Sequence, residues 1–206
     1  MAKKTKSKPV RVGREEASDR LVKAVISLLD TTPMNELLVD AITEHAGLAS
    51  GHVLVHRYFG SRLDLLSEVA HTLAAQLVEG LHIDVETFRD VAVTGVDYLG
   101  SFSRHIGVIR KRALVINELA LHGAPPELHS EKTREILDSL QLIFELGGIP
   151  TRAARATALN MLTLVSVEAT LSEWIGASAE ERDDLRTLTL LELGFASQIS
   201  ETLGWK

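Results

Sequence analysis

Apolar side chains recur at intervals of three and four along most of the 206 residues, and no stretch reads as a strand hairpin or a βαβ unit. Between residues 14 and 30, Ala17, Leu21, Ala24, Val25, Leu28 and Leu29 share one helical face, while Glu15, Glu16 and Asp19 occupy the first turn, where the helix dipole favours acids. Thr31-Thr32-Pro33 ends that helix. A second helix, from about Asn35 to Ala46, turns Leu38, Val39 and Ile42 inward and stops at Gly47, a suitable left-handed residue. A third segment runs from Ser50 to Phe59. Ser61 then caps a fourth helix, with Asp64 three residues on and Leu66, Val69, Leu73 and Leu77 as its buried stripe. Further amphipathic stretches cover about 84–104, 106–121, 126–146, 151–175 and 179–203, punctuated at Gly107, Gly123-Ala124-Pro125-Pro126, Gly147-Gly148-Ile149-Pro150 and Gly176. The expected fold is all-α with nine helices.

The second and third of these helices are joined by Ala46-Gly47-Leu48: a small residue where two helices approach, a glycine for positive φ, and an apolar residue to plug the angle. Three short helices with such a turn make a helix-turn-helix candidate. The flanking residues make it more specific. Val39-Asp40-Ala41-Ile42-Thr43-Glu44-His45-Ala46-Gly47-Leu48, then His56-Arg57-Tyr58-Phe59-Gly60-Ser61-Arg62 and the pair Leu65-Leu66, resemble the N-terminal pattern of the TetR family of transcriptional regulators, in which Ile-Ala-x-x-Ala-Gly-Val precedes His-Phe-x-Ser-Lys and a Leu-Leu pair. The match covers about residues 14–70. Three departures stand out. Thr43 replaces a usual alanine. Leu38 replaces a usual capping threonine, which places the start of helix 2 at Asn35. The interval from Gly47 to Arg62 is two residues longer than the common pattern, and the extra pair is expected near Ala49 to Val53, because two residues inserted further along the helix would rotate its exposed face by about 200°.

A recognition helix offers its N-terminal part to base edges and other side chains to phosphates. Ser50, Gly51 and His52 stand at that N-terminal part: a hydroxyl for a base or phosphate, a glycine for close approach, and an imidazole for a base edge. Arg57 is exposed if Phe59 is buried, and reaches the backbone or a guanine. Arg62, at the positive end of helix 4, makes a phosphate site. By the resemblance, His56 stands where the family has a phosphate-gripping tyrosine, Tyr58 where it has a histidine and Arg62 where it has a lysine; Thr43 joins the expected DNA-facing set. The plainer readings are that Tyr58 packs, that Arg57 is a solvated charge, and that His52 and His56, four apart with Glu44 and His45 nearby, hold a metal. No metal and no cofactor is the expectation.

In the C-terminal part, the stretch 151–175 is apolar nearly all round, and 179–203 carries two stripes, Leu188, Leu191, Phe195 and Ile199 beside Leu190 and Leu193. The resemblance implies that these two helices pair with their copies in a homodimer through about 151–203, presenting two reading helices to a palindromic operator of double-stranded DNA. It also implies an effector pocket in the helices between. Phe102, Asn117, Phe144, Asn160, Thr163 and Trp174 are the candidate effector contacts, among other polar residues that include His105, Arg110, Gln141 and Glu168. Only nine aromatics in the chain point toward an aliphatic or acyl small molecule.

Charge sharpens the division. The net charge of −6 seems to exclude DNA, yet residues 1–62 carry ten basic and seven acidic side chains and residues 63–206 carry twelve and twenty-one. A basic head on an acidic body directs DNA to the head. The expected organisation is a basic tail over 1–12, a helix-turn-helix DNA-binding domain over 13–62, and an effector-binding and dimerisation domain over 63–206. No cysteine is present, which excludes disulfides and thiolate chemistry. The basic tail leads into no apolar region of a secretory signal, and no run approaches membrane-spanning length, so a cytoplasmic protein without membrane contact is expected. No nucleophile elbow or phosphate-binding glycine loop suggests an enzyme. The function expected is a DNA-binding repressor released by a small molecule. The alternatives are a helical small-molecule or lipid carrier without DNA function and, more remotely, a His/Glu metal enzyme.

Overall fold

A computed structural model describes residues 13–48, 51–81, 97–146 and 148–171, and every regular element among them is helical. Seven α-helices follow in order: α1 Arg14–Leu28, α2 Val39–His45, α3 Gly51–Tyr58, α4 Arg62–Gly80, α5 Asp97–Leu121, α6 Glu127–Leu146 and α7 Thr151–Leu171. The ninth expected helix, the tail and the stretch 82–96 lie outside the described residues. The chain divides into two compact units, 1–69 and 70–206, with the division falling within α4.

The first unit is built on the stripe that the sequence displays. Ala17, Leu21, Ala24, Val25 and Leu29 of the first helical segment are buried, and Leu37, Ile42, Val55, Leu65, Leu66 and Val69 complete the core. Each of the leucine, isoleucine and valine side chains stabilises the unit by about 1.5–3 kcal/mol on leaving water. One expectation is corrected. Helix 2 begins at Val39, not Asn35, because Met34–Glu36 form a 3-10 turn and Leu37 then adopts φ −75°, ψ 68°. The amide of Leu38 donates to the carbonyl of Glu36 at 2.8 Å, which closes an inverse γ-turn. That turn drives Leu37 wholly into the core and leaves Leu38, expected to point inward, 62% exposed at the N-cap.

The second unit packs α5, α6 and α7 with the C-terminal half of α4. Leu77, Ile106, Ile109, Ile136, Leu140, Phe144, Ala158 and Met161 form its core. Gly107 does not separate two helices: α5 runs through it. A glycine inside a helix costs about 1 kcal/mol relative to alanine, and burial of Ile106 and Ile109 on either side offsets this. The signals at Gly123 and Gly148 hold, while Gly176 lies outside the described residues. At Gly123 and Gly148 the following amide, of Ala124 or Ile149, returns to the carbonyl of Leu119 or Phe144, closing α5 and α6. Among the described residues no helix is long and apolar enough to cross a membrane.

Candidate functional site

The turn between α2 and α3 is set by local chemistry. Gly47 has φ +66°, its amide donates to the carbonyl of Glu44 at 3.0 Å, and the amide of Leu48 donates to that of Thr43 at 2.9 Å. This pair of bonds is the Schellman arrangement, and a side chain at the central position would strain it. His45 Nε2 and Ser27 Oγ, 3.2 Å apart, tie the end of α2 to α1. Val55 fixes the roll of α3 by full burial, so His52, His56 and Arg57 are exposed together on the outer side and Tyr58 is half-buried.

Each imidazole is oriented. His56 Nδ1 donates to the carbonyl of Gly60 at 2.7 Å, which selects the tautomer and leaves Nε2 facing outward. In the neutral ring Nε2 accepts hydrogen bonds; in the imidazolium it donates, as a phosphate requires. His52 Nε2 lies 3.2 Å from Asp40 Oδ1, linking the first turns of α3 and α2 across exposed surface. Arg57 makes no hydrogen bond or ion pair with any described residue. At the start of α4, the amide of Asp64 donates to Ser61 Oγ at 3.1 Å while Ser61 Oγ donates to Asp64 Oδ2 at 2.6 Å, the expected cap.

Two of the expected DNA-facing residues have other employment. Thr43 is 4% exposed and its hydroxyl donates back to the carbonyls of Val39 and Asp40, both at 3.0 Å. It packs in the place of an alanine, with its polar atom satisfied inside its own helix. Arg62 turns its guanidinium to the carbonyls of Leu37 and Met34, each at 3.2 Å. Ser50 and the side chain of Gly51's position lie outside the described residues. Glu44, His45, His52 and His56 do not converge: no three metal-binding side chains come together among the described residues.

In the second unit a cavity of about 460 Å³ opens between α4, α5, α6 and α7. Its size is that of a small-molecule site. Ile109, Arg112, Ala113, Ile116, Asn117 and Ala120 contribute one stripe of α5, and Thr133, Ile136 and Leu137 come from α6. Of the expected effector contacts, Asn117 and Thr163 line this cavity. Phe144 is instead buried in the core, and Asn160 is exposed on the outside of α7; neither lines it, because the roll of their helices is set by the apolar faces that they pack. The side chain of Phe102 and the whole of Trp174 lie outside the described residues. Of the other polar candidates, Arg110 and Glu168 pair at 3.6 Å, and Gln141 Nε2 donates to Glu145 Oε1 at 2.8 Å.

Sequence reasoning missed Arg112. It is 9% exposed, lines the cavity, and donates from Nη2 to Thr133 Oγ1 at 2.8 Å; that hydroxyl in turn donates to the carbonyl of His129. Burial lowers its pKa to about 10, so it remains charged at neutral pH. His129 is also buried, 4.9 Å from His71 between ring centres. Burial above all, then the charges of His71 and Arg112, holds its pKa below the usual histidine range. The signal in the sequence was an arginine at a three- and four-residue spacing within an apolar stripe.

A three-helix head with a helix-turn-helix, followed by a helical body with a cavity, defines a known class of fold. Two solved structures share it. A protein of Mesorhizobium loti MAFF303099 classed with the TetR-family transcriptional regulators is 13% identical, the match covering 93% of this chain and 98% of that one at a TM-score of 0.56. A TetR transcriptional regulator of Streptomyces coelicolor is 16% identical, with 87% and 98% covered and a TM-score of 0.51. No protein-family model and no curated protein matches the sequence. The chain therefore has the TetR-like, all-helical fold.

Proposed function

We propose that this chain is a cytoplasmic, non-enzymatic transcriptional regulator: a homodimeric repressor that grips a palindromic operator through α3 and lets go when a small molecule occupies the cavity of the second unit. The observation that carries the reading is the outer face of α3, where His52, His56 and Arg57 stand exposed together behind a helix-turn-helix bend. Arg57 and Tyr58 supply phosphate or base contacts, His52 a base edge, and His56 a phosphate contact in its protonated form. Ser50 and Gly51 belong to the proposed contact surface, as does the basic tail, whose five positive charges suit a phosphate backbone. The nine-helix count and the boundary at Arg62 belong to this reading as well.

Dimerisation is supported by α7. Opposite its buried Ala154, Ala158, Met161 and Val165, it leaves Ala156, Leu159, Thr163 and Val167 exposed at helical spacing, the last three also bordering the cavity, so a partner helix packed there would close over it. A second small-residue and apolar stripe of that kind fits a partner helix. Ligand control then follows from differential affinity: a molecule that binds one arrangement of the body more tightly shifts the population of DNA-competent dimers by that difference.

The test is selection of bound duplexes from a random-sequence pool, followed by a salt titration of the winner. A palindromic consensus with steep salt dependence is expected. Uniform weak affinity for every duplex would sink the reading and leave the carrier alternative, to which the cavity alone would belong.

A further inference from the structure

The cavity walls are aliphatic. Leu77, Ile109, Ile116, Ile136 and Leu162 are among its lining residues, and none of the fifteen is aromatic. Nothing there offers a ring a stacking surface. Into this lining the fold sets one full charge, Arg112.

Buried arginines in proteins are paired, and three other arginines of the described residues, two of them with exposed side chains, have a carboxylate. Arg110 has Glu168, Arg155 has Asp138, and Arg20 has Glu16. Among the described residues Arg112 has no carboxylate. Its one hydrogen bond among them is to the Thr133 hydroxyl, and its Nε, fully buried, meets no acceptor there. Leaving a guanidinium buried without a partner is costly unless something else completes it. The other polar groups at the cavity do not compete for an anion. Thr163 and Ser166 donate their hydroxyl hydrogens to the carbonyls of Leu159 and Leu162 one turn back. Asn117, on the same α5 stripe, keeps its amide available.

We infer that the cavity is a receptor for a singly charged aliphatic acid, with its carboxylate seated on the guanidinium of Arg112 and its hydrocarbon chain lying along the leucine and isoleucine wall. The planar guanidinium matches a carboxylate in shape, and one positive charge matches one negative charge. Charge-assisted hydrogen bonds strengthen where water is excluded, so the headgroup contact gains from the same burial that isolates Arg112. The inference deepens the effector half of the proposed function and rests on that reading only for its biological consequence.

The experiment is titration calorimetry of the full chain, without DNA, using decanoate, decanol and decyltrimethylammonium as probes, repeated with R112M and R112K. Decanoate is expected to bind one per chain, about 10- to 100-fold more tightly than decanol. R112M should lose that margin while binding decanol as the parent does, and R112K should keep only part of it, having charge without the fork. Ligand-free R112M should unfold at the same temperature as the parent or higher, because it removes an uncompensated charge; a purely structural arginine would give a lower one. Equal affinities for decanoate and decanol in the unaltered protein, or an undiminished margin in R112M, would overturn the inference. Should R112M not fold, the parent's own preference among the three probes decides. Failure of the two readings is separable: acid binding through Arg112 without a selected operator defeats the regulator and leaves the receptor, whereas an operator without acid preference does the reverse.

Discussion

Arg62, in the first turn of α4, donates from Nε to the carbonyl of Leu37, twenty-five positions earlier, and from Nη2 to that of Met34. One side chain thus bonds two carbonyls of the link between α1 and α2: that of Leu37, and that of Met34, which also accepts from the Leu37 amide at 3.3 Å. R62A is expected to destabilise the first unit by about 1.5–3 kcal/mol, the range for a hydrogen bond to a charged group. Denaturant unfolding measures this. The salt dependence of duplex binding separates bracing from phosphate contact: a brace leaves the slope unchanged in molecules that remain folded, whereas loss of a phosphate contact lowers it by about one.

Leu38 occupies the N-cap of α2 with no side-chain bond to the helix and with most of its surface in water. L38T therefore removes little packing and adds an oxygen for the first-turn amides. A gain of about 0.5–2 kcal/mol is expected, read as a higher urea midpoint with unchanged m-value. No gain would mean that the γ-turn before it holds the cap too far from the amides.

Arg57 is exposed and unengaged, so R57A should leave the unfolding midpoint within about 0.5 kcal/mol of the parent. Duplex affinity should fall. If Arg57 meets a phosphate, all sequences weaken alike; if it meets a guanine, one position of the operator loses about 1–3 kcal/mol of discrimination. Unchanged affinity for the selected operator would remove it from the interface.

His129 is buried between His71 and Arg112, and its pKa lies below the ordinary 6.5. The unfolded chain therefore takes up this proton first as pH falls. The stability that the neutral, buried ring contributes is complete above about 6.5 and is lost as pH falls from there through the lower folded value. Unfolding midpoints at pH 7.5 and at successive steps below 6.5 are expected to fall, and H129L should flatten that part of the profile. A profile that is identical in H129L would place the acid sensitivity elsewhere.

The helix stops and buried stripes were legible in the sequence because they depend on residues a turn or two apart. Gly47, Gly123 and Gly148 end their helices by bonds that span five residues. Leu66, Val69, Leu73 and Leu77 bury the face that their spacing marks. The outer face of α3 was legible for the same reason, once Val55 and its neighbours set the roll. What failed locally was the link before α2: a helix from Asn35 and an inverse γ-turn at Leu37 are both compatible with the sequence, and the choice is made by Arg62 reaching back to that carbonyl. Gly107 misled in the opposite direction, because a local helix penalty was overridden by burial on either side.

By itself, then, the sequence determined an all-helical chain, a helix-turn-helix head, and a basic end distinct from an acidic body, all consequences of short-range periodicity, turn chemistry and charge. Only the tertiary structure decided that Thr43 is covered, that Arg62 braces a loop, and that Arg112 rather than Asn160 or Phe144 faces the cavity. Those outcomes depend on which carbonyls and carboxylates other helices bring within about 3 Å, the reach of a hydrogen bond. Spacing along one helix specifies the direction of a side chain but not what waits there.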